Sequence, residues 1–422
     1  MSSFRLLFLA LTALLFLAQC EGTLNPDTSG QFIKFFGGAL DNEAFGLDVT
    51  PDGQAIVIVG SSASFAANDR LYVAKTDQNG NRIWERTFAS DVFLTSDQDT
   101  LAQDGRDVKL LANGNILVLG NIRSNRPDFQ EFSQFLLVEL NSEGVLLRSA
   151  VLGQPFLRQS EDFFLQIAQN GDLLLMANTR VGLTEGDPRT DLHLIRLAYT
   201  PPPAAWNIVF ERSYGLFNRD DQNGNLREID GNDLLWCGTS NRNTSFSDMR
   251  HLRADLNGNL KWDFIIGEND QLSQKGEDVV AAANPAEGFV LIGTTTETPG
   301  NANAPTDILL VKVAPNGTEV WQKIIGLSGS RQIGRSLSAT PDGGYILIGS
   351  TEESGQSDIL LVKTDAEGEV VWQVTYGGPE FDDFGLRVVP TPDGGYLLAG
   401  SVFFQENFVL GLIKTDANGQ AF

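Results

Sequence analysis

The sequence predicts an all-β fold: a seven-bladed β-propeller of four-stranded antiparallel blades, its ring closed by an N-terminal strand. Three observations predict it. Thr340-Pro341-Asp342-Gly343-Gly344-Tyr345-Ile346-Leu347-Ile348-Gly349-Ser350 returns as Thr391-Pro392-Asp393-Gly394-Gly395-Tyr396-Leu397-Leu398-Ala399-Gly400-Ser401, a period of roughly 40 to 60 residues that marks blade-type repeats. Each unit carries four strand signals: one before the Asp-Gly or Asn-Gly turn, one after it, one ending in a Lys-Thr-Asp-like element, and one led by Trp. The last copy stops at Gly419-Gln420-Ala421-Phe422, where its fourth strand should begin, and Phe32-Ile33-Lys34-Phe35-Phe36-Gly37-Gly38 matches Trp372-Gln373-Val374-Thr375-Tyr376-Gly377-Gly378 position for position. A blade shared between the termini removes free sheet edges.

Within a unit, the apolar second strand is clearest at Ile56-Val57-Ile58-Val59, Ile116-Leu117-Val118-Leu119, Leu173-Leu174-Leu175-Met176, Leu234-Leu235-Trp236-Cys237 and Phe289-Val290-Leu291-Ile292. With the two copies above these make seven units. After the third strand, Asp77, Asp255, Asp365 and Asp416 each precede a Gly by three positions. An Asp side chain accepting turn N–H groups, followed by a Gly at positive φ, accounts for that pattern. Trp84, Trp206, Trp262, Trp321 and Trp372 sit at one repeated place and are expected between neighbouring blades. Lys75, Arg196, Arg253, Lys312, Lys363 and Lys414 form a once-per-blade series broken by Glu139, expected to pair across strands with carboxylates. Gly105, Gly334 and Gly385 suit crowded innermost strands.

The formal net charge of −24 argues against nucleic acid, whose phosphates need a basic footprint. Residues 1–19 read as a signal peptide, with Arg5 ahead of an uncharged apolar stretch. Leu17-Ala18-Gln19-Cys20 resembles a bacterial lipobox, with Gln19 where a small residue is usual. That resemblance implies acylation of Cys20, residues 20–31 as lipidated cysteine and tether, 32–422 as one propeller domain, and a place in the bacterial envelope at the outer membrane. The other cysteine, Cys237, falls in an apolar strand and reads as a buried thiol.

The Asp365 to Trp372 stretch resembles the Trp-docking repeat of quinoprotein-dehydrogenase-type propellers, with a gap from Asp365 to Gly368 one residue shorter. It is also similar to the Asp-box hairpins of sialidase-like propellers, with a longer Gly368 to Trp372 distance. The Thr-x-Asp-Gly-Gly-Tyr copies are most similar to the repeats of bacterial secreted and lipid-anchored propellers. That likeness covers nearly the whole mature chain and implies fold and location.

Function is sought where the repeats differ. Blade two has a long connection at 123–132, blade three at 180–190 and blade five at 297–306, all between second and third strands and so on one face. Arg126, Phe129 and Phe132 are the candidate partner-binding residues there. No cofactor is expected. The strongest metal candidate is 218–225, with Asp220, Asp221 and Asn223 as oxygen ligands for Ca²⁺, although a calcium loop places its ligands at alternate positions. His193 and His251 lie in or beside apolar strands, and no nucleophile elbow or phosphate loop is present. The expectation is a non-enzymatic, lipid-anchored propeller binding a protein or glycan. The alternatives are a glycoside hydrolase or lyase, whose carboxylate pair would be spatial rather than sequential, or a structural subunit of an envelope assembly.

Overall fold

A computed structural model describes residues 30–421 apart from 38–40, 51, 54, 63–69, 89–100, 125–132, 157–162, 181–189, 217–218, 243–245, 268–271, 298–300, 302–303, 327–329, 354, 379–380 and 405. Its strands form seven four-stranded sheets. Blade I is β2 (Asn42–Val49), β3 (Ala55–Ser62), β4 (Arg70–Asp77) and β5 (Arg82–Phe88); blade II is β6 (Leu101–Leu110), β7 (Ile116–Ser124), β8 (Ser133–Leu140) and β9 (Leu146–Phe156). Blade III is β10 (Phe163–Ile167), β11 (Leu173–Arg180), β12 (Thr190–Ala198) and β13 (Asn207–Tyr214); blade IV is β14 (Asp220–Ile229), β15 (Asp233–Asn241), β16 (Ser247–Asp255) and β17 (Leu260–Ile266). Blade V is β18 (Ser273–Ala281), β19 (Phe289–Thr296), β20 (Asp307–Val313) and β21 (Glu319–Ile325); blade VI is β22 (Arg331–Ala339), β23 (Tyr345–Glu353), β24 (Gln356–Thr364) and β25 (Val370–Tyr376). Blade VII joins β26 (Asp383–Pro390), β27 (Tyr396–Phe404) and β28 (Asn407–Thr415) to β1 (Phe32–Phe36) from the start of the chain. β1 pairs antiparallel with β28, Phe32 opposite Lys414 and Phe36 opposite Leu410.

The first strand of each blade touches the first strands of both neighbours, so β2, β6, β10, β14, β18, β22 and β26 form an inner circle. The core is divided accordingly. Seven apolar clusters lie one between each pair of adjacent blades, from Val57, Val73, Val118 and Leu136 between I and II to Ile56, Ala74, Leu397 and Leu412 between VII and I. Each buried Val, Leu or Ile contributes about 1.5–3 kcal/mol, so the sheets hold the ring together face to face.

At Gly105, Gly334 and Gly385 adjacent blades approach closely. A Cβ on Gly385 would stand 2.6 Å from the Gly349 carbonyl oxygen, and one on Gly105 would stand 2.3 Å from Val59 Cγ2. The crowding comes from the preceding blade's second strand.

Trp84, Trp262, Trp321 and Trp372 dock on the third-to-fourth-strand turn of the following blade, against Gly144, Gly317, Gly368 and Gly419. Trp84 Nε1 donates to the Ser142 carbonyl at 3.0 Å. Those turns are built as the Asp and Gly spacing predicts: Asp77 Oδ1 accepts from Asn79 N at 2.9 Å and Asn81 N at 2.8 Å, and Gly80 has φ +71. Trp206 departs from the expectation. It precedes β13, and the position opposite Arg196, matching Trp372 opposite Lys363, is held by Phe210, which packs on Gly258.

First-to-second and third-to-fourth turns lie on one face of the ring, here the turn face. Second-to-third loops and the connections between blades lie on the other, the loop face. The long connections expected in blades II, III and V do join second to third strands, since β7 and β8, β11 and β12, and β19 and β20 flank them.

Candidate functional site in the central channel

Five of the seven inner strands carry a local irregularity that re-aims one side chain. Pairing with the second strand shifts register between Ala44 and Gly46, Gly105 and Asp107, Gly276 and Asp278, Gly334 and Ser336, and Gly385 and Leu386's successor Arg387. The extra residue at each is Phe45, Arg106, Glu277, Arg335 or Leu386. A bulge leaves its extra residue outside the ladder and turns its side chain away from the sheet's alternation. In a propeller's inner strand that direction is the channel.

These bulge residues, with Phe163, Phe164 and Arg387, line a cavity of about 90 Å³. Its walls hold three guanidinium groups against one carboxylate, in a chain of net charge −24. Arg106 lies over the Phe45 ring at 4.1 Å and pairs with Asp104 at 2.8 Å. Arg335 approaches Glu277 at 3.4 Å. Arg387 of blade VII reaches across to Phe164 of blade III, its guanidinium carbon 5.0 Å from the ring centre.

Behind the bulges two buried carboxylates fix the geometry. Asp107 accepts from its own neighbour Val108 N at 2.8 Å, from Lys109 at 3.1 Å and from Leu165 N of blade III at 2.9 Å. Asp278 accepts from Val279 N at 2.8 Å, Asn225 of blade IV at 2.7 Å, and Ser336 Oγ of blade VI at 2.9 Å. Asp107 thus ties blade II to blade III, and Asp278 ties blade V to blades IV and VI.

The metal candidates sit elsewhere and in different structure. Residues from Asp220 onward form strand β14, with a register shift between Gln222 and Asn225 and Gly224 at φ +111; the predicted loop is a bulged inner strand. Asp220 Oδ1 accepts from Thr190 N at 2.7 Å and Thr190 Oγ1 at 2.6 Å. Asp221 is buried and paired with Arg250, which also binds Asp263 at 2.7 Å. Burial pushes the Asp221 carboxyl up to about 7, against the pull of Arg250 and Ser240. The two carboxylates therefore serve different partners. The Asn223 side chain, Cys20, Arg126, Phe129 and Phe132 lie outside the described residues.

Each imidazole is held by at least one hydrogen bond. His193 contacts Ser213 Oγ at 2.9 Å and Glu211 at 2.8 Å across β12 and β13, and burial lowers its pKa. This serine–imidazole–carboxylate contact spans the two outer strands of blade III, away from the inner strand β10. His251 Nε2 donates to the Gly317 carbonyl at 2.9 Å, and burial lowers its pKa too. Burial likewise pushes the Cys237 thiol well up, as its apolar strand implies.

A second feature marks the loop face of blade VII. Phe381 stacks on Phe403 at 4.5 Å, Phe403 meets Phe408 edge-on at 5.2 Å, Phe384 lies 6.1 Å from Phe408, and Phe404 stacks on Phe35 at 5.0 Å. Phe35, Phe381 and Phe404 are exposed.

No family model and no curated protein matches the chain. Among solved structures, it is similar to polysaccharide lyase Uly1, with 11% identity, 95% of each chain covered and a TM-score of 0.49. A protein of unknown function from Dyadobacter fermentans shares 14% identity over 76% of this chain and 96% of its own, with a TM-score of 0.47. An α-L-arabinanase from Penicillium chrysogenum shares 15% identity over 74% and 92%, with a TM-score of 0.46. At such identities the likeness is one of fold.

Proposed function

We propose that the chain is a non-enzymatic binding propeller, anchored through an acylated Cys20 in a bacterial envelope, that captures a glycan or protein partner through its loop face and central channel. The observation that carries the reading is the set of bulge residues. Positions repeated from blade to blade build the ring, whereas the bulge position varies, being Phe45, Arg106, Glu277, Arg335 or Leu386, and these residues converge on one cavity with aromatic walls and polar groups. Glycosidic hydrolysis by the common route needs two carboxyl groups about the scissile bond, and among the described lining residues Glu277 is the one carboxylate.

The tether geometry suits the reading. β1 begins opposite Lys414, at the turn-face end of β28, so a tether from Cys20 leaves from the turn face and the loop face points away from the lipid.

An array of neutral and acidic glycans probed with wild type and with Phe45→Ala tests the reading. Retention lost in Phe45→Ala at unchanged melting temperature is the expected result. Retention on no glycan and capture of no envelope protein by the wild type would refute it, and steady release of soluble oligosaccharide would establish a hydrolase or lyase instead.

A further inference from the structure

The chemistry of the channel cavity goes further than partner capture, and the step rests on the reading above that this cavity is the binding site. We propose that the cavity seats a carboxylate, carried on a sugar ring as a uronic acid, with Arg387 and Arg106 as its donors and the phenylalanine rings as its walls.

Arg387 carries most of the argument. Its side chain is 15% exposed, and its nearest carboxylate oxygen is Asp278 Oδ2 at 3.8 Å, beyond hydrogen-bond reach. Asp278 is already saturated by Asn225, Val279 N, Ser336 Oγ and Leu337 N, and by Arg227 at 3.2 Å. The Arg387 guanidinium thus makes no hydrogen bond to the described residues, although it carries five N–H donors in a fixed fork. It is held in place by stacking over Phe164 from the opposite side of the ring. A largely buried cation with unused donors is costly. A planar carboxylate accepting two parallel bonds is the group that fits the fork.

Arg106 repeats the arrangement from blade II. One nitrogen is committed to Asp104, Nε is buried without a hydrogen-bond partner, and the plane rests on Phe45. Two stacked guanidinium groups therefore face a cavity whose other lining residues are Phe163, Phe164, Leu386 and the pair Arg335 and Glu277, in which Arg335 offsets the one acidic group at 3.4 Å. The free volume of about 90 Å³ holds a carboxylate and the edge of its ring, so the ligand enters end-on with the rest of it toward the loop face. Aromatic faces pack against the C–H face of a pyranose. The overall charge of −24 repels anions at long range, so recognition is confined to this local cationic pair and weakens as salt screens it.

Titration calorimetry on the full chain in mild detergent, with galacturonate, digalacturonate and galactose, tests the assignment. The uronates are expected to bind, more weakly at high salt, and galactose to bind on the order of tenfold less well or not at all. Arg387→Met and Arg106→Gln should each weaken uronate binding by a further factor on the order of ten, Arg387→Met at an unchanged melting temperature and Arg106→Gln at a lowered one, because it takes the cation from the buried Asp104. Binding by digalacturonate alone would place the carboxylate at the end of a glycan, and binding by both would extend the site to the free acid; either supports the seat. Equal binding of galactose, lost in Phe164→Ala, would overturn the carboxylate assignment and leave the cavity reading standing. A peptide with a free C-terminal carboxylate that binds where uronates do not would overturn the sugar. Uronate binding unchanged in Arg387→Met, Arg106→Gln and Phe164→Ala would overturn both.

Discussion

At position 148 blade II carries Arg where other blades carry Trp or Phe, and opposite it, at 139, Glu where they carry Lys or Arg. The two departures compensate. Glu139 is fully buried and pairs with Arg148 at 2.7 Å, while Asn115 and the Tyr199 hydroxyl each donate to it at 2.8 Å. The Arg148 plane then lies 3.4 Å from the Trp206 ring and donates to the Thr200 carbonyl at 2.6 Å, so blade II docks on blade III through a guanidinium where blade I docks through Trp84. This also explains why Trp206 stands outside its repeat: the 201–203 insertion moves it to meet Arg148. Arg148→Ala leaves Glu139 as a buried charge without its cation and should cost about 3–5 kcal/mol, read by chemical denaturation; a loss below about 1 kcal/mol would mean that Asn115 and Tyr199 suffice. At the repeated site in blade VI the third strand carries the cation instead, and the buried Lys363 reaches the exposed carboxylate of Asp342 at 2.8 Å. Burial raises the Asp342 pKa, but Lys363, Thr340 and Gly344 N outweigh it and hold the carboxyl down at about 2. A folded pKa below the unfolded value of about 3.9 gives stability that is present above that value and lost as pH falls toward 2. Asp342 is 63% exposed, so solvent screens the effect. In thermal melts between about pH 5 and pH 2, wild type should lose more stability than Asp342→Asn, the two converging at the acid end; parallel curves would remove Asp342 from the acid limb.

Strands were legible in the sequence wherever one face of the pattern is apolar and a Gly-rich turn bounds it, which is why β1 could be assigned to the last blade before any pairing was known. The expectation at this scale is that removing residues 32–38 takes the outer strand from β28, exposes its edge and strips Phe36 from the cluster between blades VII and I. A broadened transition at a lower denaturant midpoint is predicted. Cooperative unfolding at the wild-type midpoint would show that β1 does not close the ring. The inner strands were less legible, because a bulge is a property of a pair of strands and a single strand's residues do not reveal it. Residues 218–225 are rich in Asp, Asn and Gly and read as a loop, yet pairing with β15 overrides that local preference and places Gly224 in a bulge. The cavity residues were missed for the same reason. A signal was nonetheless present: Gly105-Arg106-Asp107, Gly276-Glu277-Asp278, Gly334-Arg335-Ser336 and Gly385-Leu386-Arg387 share a Gly fixed by blade contact followed by a residue that varies among Arg, Glu and Leu. Only the closed circle of inner strands shows that these changing residues meet.

For the whole molecule, the direction of β1 turns the proposed lipid anchor into an orientation. Residues 20–31 span at most about 3.3–3.6 Å each when extended, so a tether leaving beside Lys414 keeps the turn face nearer the bilayer than the loop face. The turn-face residues Asn79, Glu367 and Asn418 and the loop-face residue Glu406 are exposed, and the buried Cys237, with its thiol pushed well up by burial, will not compete for a maleimide dye. A fluorophore on Asn418→Cys should transfer energy to an acceptor dye in the lipid more efficiently than one on Glu406→Cys, measured on the acylated protein in vesicles. Cys20→Ala should abolish transfer from both and release a folded protein from the membrane fraction. Equal transfer from the two positions would mean that the ring lies on its side or tumbles on its tether, and stronger transfer from Glu406→Cys would put the Phe381, Phe403 and Phe404 aromatic track against the lipid. In that last case the channel mouth and its arginines would face the bilayer, and a soluble glycan could not reach them from the loop side.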